Sequence, residues 1–187
     1  MYNLIISLQT HIMEKELLNE QEIERILMRI THEILEKNKG AENICLIGIV
    51  TGGVYLAERI RNKIKESEGM DVPLGSLDIS FYRDDINLAK KHRVIKPTNI
   101  PFRIDGKRVI LVDDVLYTGR STRAAMDALM DFGRPAEIQL AVLIDRGHRE
   151  LPIMANYTGK FIPTSRNEKI KVYLKEISGK DSVVLIV

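Results

Sequence analysis

What most limits how this chain can fold is a set of apolar runs without alternation, the first two followed by turn and helix sequence. "NICLIGIV" (Asn43 to Val50), "RVILV" (Arg108 to Val112) and "EIQLAVLID" (Glu137 to Asp145) are apolar on both faces. Strands of that kind are buried between two layers, as in parallel sheets of α/β proteins. Before the first run, "NEQEIERILMRITHEILEKNKG" carries Ile23, Ile26, Leu27, Ile30 and Ile34 on one helical face, with Arg25, Arg29, His32 and Glu36 opposite. Asn19 with Glu22 forms a capping pair, and Gly40 is the stop. After it come the turn "TGG" and a helix from about Val54 to Glu66. "SLDISFY" alternates like a strand, and "KIKVYLKEI" and "SVVLIV" are later strand-like runs.

Strands alternating with helices imply right-handed crossovers and a central, mostly parallel sheet flanked by helices. Ligands of such sheets bind at the carboxyl ends of the strands. One rim therefore collects "TGG", "RDD", "DDVLYTGRST" and "DRGHRE". The polar stretch from Arg83 to Lys107, broken by Pro97 and Pro101, is longer than an ordinary connection and reads as a lid or binding loop.

At 187 residues the chain is one domain, 19–187, with 1–18 as an N-terminal extension: an extra edge strand, or sequence ahead of a start at Met13. A net charge of +2 gives no global field for nucleic acid, so any polyanion site is a local patch. Cys45 is alone, which removes intrachain disulfides and thiolate metal sites. The first residues lack a signal peptide's basic start and no run spans a bilayer, so the expected place is the cytoplasm, with no membrane partner.

The stretch "RVILVDDVLYTGRSTRAAMDAL" runs an apolar strand into two acids, then enters a helix, ending near Gly133, through hydroxyls and a glycine. Gly119 admits a close wrap, Thr118, Ser121 and Thr122 offer hydroxyls, and the helix start presents unpaired amides. A phosphate there gains about 0.3–2 kcal/mol from the helix terminus. From Asp114 to Thr118 the chain reaches at most ~13–14 Å, enough to straddle a pentose. Carboxylates accept well from vicinal hydroxyls. The segment reads as a ribose-5-phosphate cradle. Simple helix capping is the bland alternative, but it needs one such residue, not six. Neither a P-loop nor a dinucleotide fingerprint is present.

The same stretch resembles the phosphoribosyl diphosphate (PRPP) motif of the type I phosphoribosyltransferases. "YRDD", "GRPAEIQLAVLIDRGHRELPI" and "GKFIPTS" extend the likeness to the bacterial pyrimidine operon attenuation regulators, a family that doubles as uracil phosphoribosyltransferases. The likeness runs from about Leu18 to Val187. It implies a type I phosphoribosyltransferase fold with a small hood from about 145–187, and a homo-oligomer, dimer or tetramer. It implies uracil, PRPP, UMP and pyrophosphate as ligands. Mg²⁺ is the implied cofactor, held mainly by PRPP with Asp113 and Asp114 contributing, and not by a protein cluster.

By that resemblance Asp113 and Asp114 hold the ribose hydroxyls, Thr118, Gly119, Arg120, Ser121 and Thr122 hold the 5′-phosphate, and Tyr117 is a further nucleotide-binding residue. Thr51, Gly52 and Gly53 match the pyrophosphate loop, although relatives often carry Arg where Gly52 stands, and a plain tight turn is the alternative. Arg83 resembles a catalytic lid residue; a solvated loop is the other reading, and Lys90, Lys91, His92 and Arg93 are taken as solvated. In the hood, Asp145 stands where purine-using relatives place Lys, which argues for a pyrimidine. Phe161 and Ile162 flank the base, Phe161 by stacking or else as core.

The likeness also implies UMP-dependent binding of pyr leader mRNA through Arg29, His32, His148, Arg149, Lys160 and Thr164, with Arg166 extending the patch. The alternative is a solvated helix face and a site rim. Met28 and Met154 depart from the RNA-binding pattern, at roughly 1.5–3 kcal/mol per charged hydrogen bond lost. Two other readings stand beside the uracil enzyme: an RNA-binding regulator with vestigial activity, and a purine phosphoribosyltransferase.

Overall fold

The computed structural model describes residues 13–82 and 97–187. Arg83 and the cluster Lys90 to Arg93 lie outside the described residues.

Helix α1 (Glu20–Asn38) starts where the capping pair requires: the Asn19 side chain accepts from the Glu22 amide at 3.0 Å, and Glu22 accepts from the Asn19 amide at 2.9 Å. It ends at Lys39 and Gly40, both with positive φ. Strand β2 (Ile44–Ile49) leads into α2 (Gly52–Glu68), and β3 (Leu74–Leu77) follows. Strand β4 (Arg108–Leu116), α3 (Arg120–Leu129) and β5 (Glu137–Asp145) make a second unit. Strands β2 to β5, with β6 (Tyr157–Phe161), form a five-stranded sheet in the order β3-β2-β4-β5-β6, with every pairing parallel.

The apolar runs are two-sided for the expected reason. Ile44, Leu46, Ile110, Val112, Ala141 and Leu143 face α1 and α2 in one core. The alternate residues Cys45, Ile47, Val109, Leu111, Leu140 and Val142 face α3 in the other. Burial pushes the Cys45 thiol up to about 11, against a smaller opposing effect of Lys107. A thiol reagent at pH 8 should therefore leave native Cys45 unmodified and label it fully in denaturant; rapid native labelling would refute this burial.

A second, three-stranded antiparallel sheet has the order β1-β8-β7, from β1 (Glu14–Leu18), β7 (Lys169–Tyr173) and β8 (Ser182–Ile186). A short helix, α4 (Lys175–Ser178), joins β7 to β8. This sheet is the hood, and Leu18, Ile170, Val172, Leu174 and Val183 pack it onto the first core. Part of the stretch set apart as an extension thus supplies the hood's edge strand.

Three expectations are corrected. The strand-like run "KIKVYLKEI" is strand only to Tyr173, because α4 begins at Lys175. "SLDISFY" is strand only to Leu77, because the Asp78 carboxylate accepts the Ser80 amide at 2.8 Å and turns the chain. β6, whose sequence shows no strand pattern, is a full member of the sheet.

Candidate active site

Helix α2 follows β2 and covers one face of the sheet, while α3 follows β4 and covers the other. The adjacent strands β2 and β4 therefore diverge in connection, and the crevice beyond their carboxyl ends is the switch point where such sheets bind ligands. Both glycine-containing turns open onto it.

At the end of β4, Asp113 and Asp114 fall on opposite faces by strand parity. The Asp113 carboxylate accepts the Asp114 amide at 2.9 Å, and Asp114 accepts the Val115 amide at 2.7 Å. Burial pushes the Asp114 carboxyl up, outweighing the lowering effect of its hydrogen bonds with the Asp113 side chain and with the backbone amides of Val115 and Asp114. Beyond the acids, Gly119 adopts φ +92°, a conformation that glycine takes without strain, and its carbonyl accepts the Arg123 amide at 2.9 Å. Residues Val115 to Thr122, with Glu150, line a cavity of about 340 Å³ at the start of α3. Arg120 pairs with Glu150 at 2.9 Å on its rim.

The "TGG" turn meets this loop directly. A Cβ on Gly53 would lie 2.2 Å from the Val112 carbonyl oxygen, so only glycine allows α2 to start this close to β4. A Cβ on Gly52 would lie 2.6 Å from Asp114 Oδ2, which puts the two turns in contact across the crevice. The Val50–Thr51 peptide at this turn is cis.

The "DRGHRE" segment after β5 is the scaffold of the loop. The Arg146 amide, an Arg149 guanidinium N–H and the Glu150 amide donate to the carbonyls of Leu116, Tyr117 and Thr118 at 3.0, 2.7 and 3.0 Å. Asp145, expected at the base, accepts the Gly147 amide at 2.9 Å and pairs with Arg149. Arg149, expected on the RNA face, also donates to the Ile153 carbonyl at 3.0 Å. Its guanidinium is thus turned inward, under the loop that follows β4.

Sequence reasoning passes over Arg146, because nothing about a lone arginine after a strand tells which way it points. It is 6% exposed, its guanidinium lies 4.1 Å from the centre of the Tyr117 ring, and it holds the hood segment near Thr164. His148, with φ +60°, contacts the Thr164 carbonyl through Nε2 and sets its ring edge-on to Tyr117 at 5.9 Å.

Phe161 is 62% exposed, which removes the core reading, and the Ile162 amide donates to the Asp145 carbonyl at 2.8 Å. Both therefore lie beside the end of β5. Arg29 is exposed on α1, pairs with Glu33 and reaches the Thr158 carbonyl at 3.1 Å. With Arg25 and Lys160 it lines a groove of about 280 Å³ floored by Leu18 and Ile26. His32 is exposed on the same helix, Arg166 is exposed in the hood, and Met28 and Met154 are 48% and 84% exposed. Among the described residues no three His, Cys, Asp or Glu side chains gather as a metal cluster. No described helix is long and apolar enough to cross a membrane.

A family model, the phosphoribosyl transferase domain, matches residues 13–177. The bifunctional protein PyrR of Listeria monocytogenes serotype 4b is 56% identical over 172 residues, covering 90% of this chain and 94% of its own. The bifunctional protein PyrR of Deinococcus radiodurans is 57% identical over 169 residues, covering 90% and 92%. Among solved structures, the hypoxanthine phosphoribosyltransferase of Trypanosoma cruzi superposes with a TM-score of 0.70 at 20% identity, covering 92% of this chain and 95% of that one. At that identity the likeness speaks for the fold. With the paired acids, the hydroxyl-lined turn and the switch-point crevice in place, the chain belongs to the phosphoribosyl transferase domain family, in the group of the bifunctional PyrR proteins.

Proposed function

We propose that this protein joins uracil N1 to C1′ of PRPP, releasing pyrophosphate and forming UMP, and that it binds pyr leader mRNA in a UMP-dependent way. The observation that carries the first part is the contact of Gly52 with Asp114 across the β2–β4 crevice, which brings leaving-group turn and sugar acids together. The reaction passes through an oxocarbenium-like state, so catalysis rests on alignment and on stabilising departing charge. Asp113 and Asp114 hold the ribose hydroxyls and orient C1′. The amides from Thr118 to Thr122, with the hydroxyls of Thr118, Ser121 and Thr122, hold the 5′-phosphate, and Thr51 to Gly53 the pyrophosphate. Arg83, by the family resemblance, supplies positive charge to the departing group.

Mg²⁺ fits this site, because the Asp113 and Asp114 carboxylates are oxygen donors beside the turn that receives the diphosphate. When bound with PRPP it neutralises charge on the leaving group. Uracil selection rests on the hood: the exposed ring of Phe161 stacks on the base, and the backbone at Ile162, fixed to Asp145, reads its edge. The Asp145 carboxylate, held by Gly147 and Arg149, is poorly suited to a purine's 6-oxo group.

The groove lined by Arg29 and Lys160, with His32 beside it, supports the RNA reading, and His148 and Thr164 extend it from the hood. Arg149 serves it indirectly, by shaping the loop. The protein works in the cytoplasm as a dimer or tetramer.

The test is a spectrophotometric assay of UMP formation from uracil and PRPP with Mg²⁺. Turnover is expected with uracil and none with hypoxanthine or guanine; purine turnover without uracil turnover overturns the assignment. A gel-shift titration with leader RNA, with and without UMP, decides the regulatory half. Failure to bind at micromolar protein in low salt removes it, and RNA binding without UMP formation leaves a regulator with vestigial chemistry.

A further inference from the structure

We propose that Arg146 is a positioning residue that couples the nucleotide loop to the hood segment Thr164–Glu168, so that a nucleotide seated in the loop tightens that segment. The inference rests on the nucleotide-site reading above and adds a route by which occupancy is felt elsewhere.

Arg146 stands at the junction of the two parts. On one side its backbone amide donates to the Leu116 carbonyl at 3.0 Å, and its guanidinium packs 4.1 Å from the centre of the Tyr117 ring. On the other side Nε donates to Thr164 Oγ1 at 2.9 Å, and Nη2 donates to the carbonyls of Ser165 at 2.9 Å and Glu168 at 2.7 Å. Those acceptors belong to a small turn closed on itself, where the Ser165 amide donates to the Glu168 carboxylate at 2.6 Å. The guanidinium thus grips the turn as one body.

Two features argue that this grip does more than fill space. Among the described residues the partners of the guanidinium are neutral carbonyls, a hydroxyl and a ring face, although the residue is only 6% exposed. A buried cation without a counter-charge is costly, and an apolar side chain would fill the space at lower cost. Second, the linkage is doubled: His148 stands edge-on to the same Tyr117 ring and contacts the Thr164 carbonyl. Tyr117 sits between the sugar acids and the phosphate turn, so it cannot shift without moving both side chains that hold Thr164. Contiguous packed and hydrogen-bonded groups of this kind carry coupling between sites.

Amide hydrogen exchange on the full chain tests this, with and without UMP at a concentration that saturates each variant by calorimetry. In the native protein UMP should slow exchange at 164–168 by about tenfold or more. In Arg146→Met and in Tyr117→Leu, UMP should still slow exchange in the loop but leave 164–168 unchanged, while Tyr117→Phe keeps the native response. If Arg146→Met does not fold, Tyr117→Leu decides, since it leaves the Arg146 bonds to the turn in place. A merely structural Arg146 predicts full UMP-dependent slowing in Tyr117→Leu, and that result overturns the coupling. UMP binding without any change at 164–168 in the native protein overturns it too. No UMP binding at all overturns the nucleotide-site reading, and the coupling with it.

Discussion

Replacing Asp114 with Asn should abolish most UMP formation while making the ligand-free protein more stable. The loss is expected on the order of 10²–10³-fold in kcat, as for removal of one preorganised polar group at a reacting centre. The gain follows from the cost of keeping a charge beside the crevice floor. Burial raises the Asp114 carboxyl above its unfolded value, so the folded chain binds that proton more tightly than the unfolded chain does. Stability from such a group is complete below the unfolded pKa, about 3.9, and is lost as pH rises through the higher folded value. At pH 7, where the unfolded acid is ionised, the raised folded value is therefore a burden that a neutral amide does not carry. The side-chain carbonyl of the variant still accepts the Val115 amide, which the carboxylate of Asp114 meets at 2.7 Å, so local geometry is kept. Denaturant titration at pH 7 should show a gain of about 0.5–2 kcal/mol that disappears below about pH 4. Native-like turnover would dismiss the sugar-binding role, and an unchanged or lower midpoint would dismiss the burial argument. The double variant Asp113→Ala, Asp114→Ala should lose PRPP binding without unfolding.

The largest effect on stability is expected from Arg59→Met, far from the crevice. Arg59 on α2 forks two carboxylates of the hood, meeting Glu176 at 2.8 and 2.9 Å and Asp181 at 2.8 and 2.9 Å. The Asp181 side chain is only 5% exposed and also accepts the Lys175 amide at 2.8 Å. Removing the cation leaves that carboxylate buried with no arginine to match it, at about 3–5 kcal/mol. That is a large share of the ~5–15 kcal/mol that holds a typical domain together. It should lower the melting temperature by roughly 6–20 °C for a chain of this size. Burial pushes the Asp181 carboxyl up, but Arg59 and the Lys175 amide outweigh it and leave it below its usual range. The Arg59 hydrogen bond likewise holds Glu176 low. Depressed carboxyls contribute stability above their unfolded values that is lost as pH falls through the folded ones. The native protein should thus lose this contribution below about pH 4, whereas Arg59→Met has little of it left to lose. Equal acid sensitivity in both proteins would show that the fork contributes nothing.

Much of this molecule is legible before any coordinate is seen, wherever the responsible forces act within one turn or one strand. The capping box of α1, the two-sided strands β2, β4 and β5, and the acid-to-hydroxyl passage into α3 depend on neighbours a few residues away. β6 is different. Its Gly159 is required because a Cβ would lie 2.3 Å from the Leu143 carbonyl oxygen and 2.7 Å from Ile26 of α1, a constraint that no local pattern carries. "SLDISFY" errs the other way: its alternation is real, but the Asp78 side chain captures a local amide and ends the strand.

For the site the division is similar. By itself the sequence determined the crevice at the strand ends and the acids and glycine-containing turn that line it, because these depend on neighbours within one strand and one turn. Only the tertiary structure decided which charges face inward. Asp145, Arg146 and Arg149 look like rim charges in the sequence, yet their hydrogen bonds brace the loop after β4 and tie it to the hood. The partners that turn them inward include carbonyls at Tyr117 and Glu168, brought close by strand order and hood packing, and a side chain's direction follows its partners.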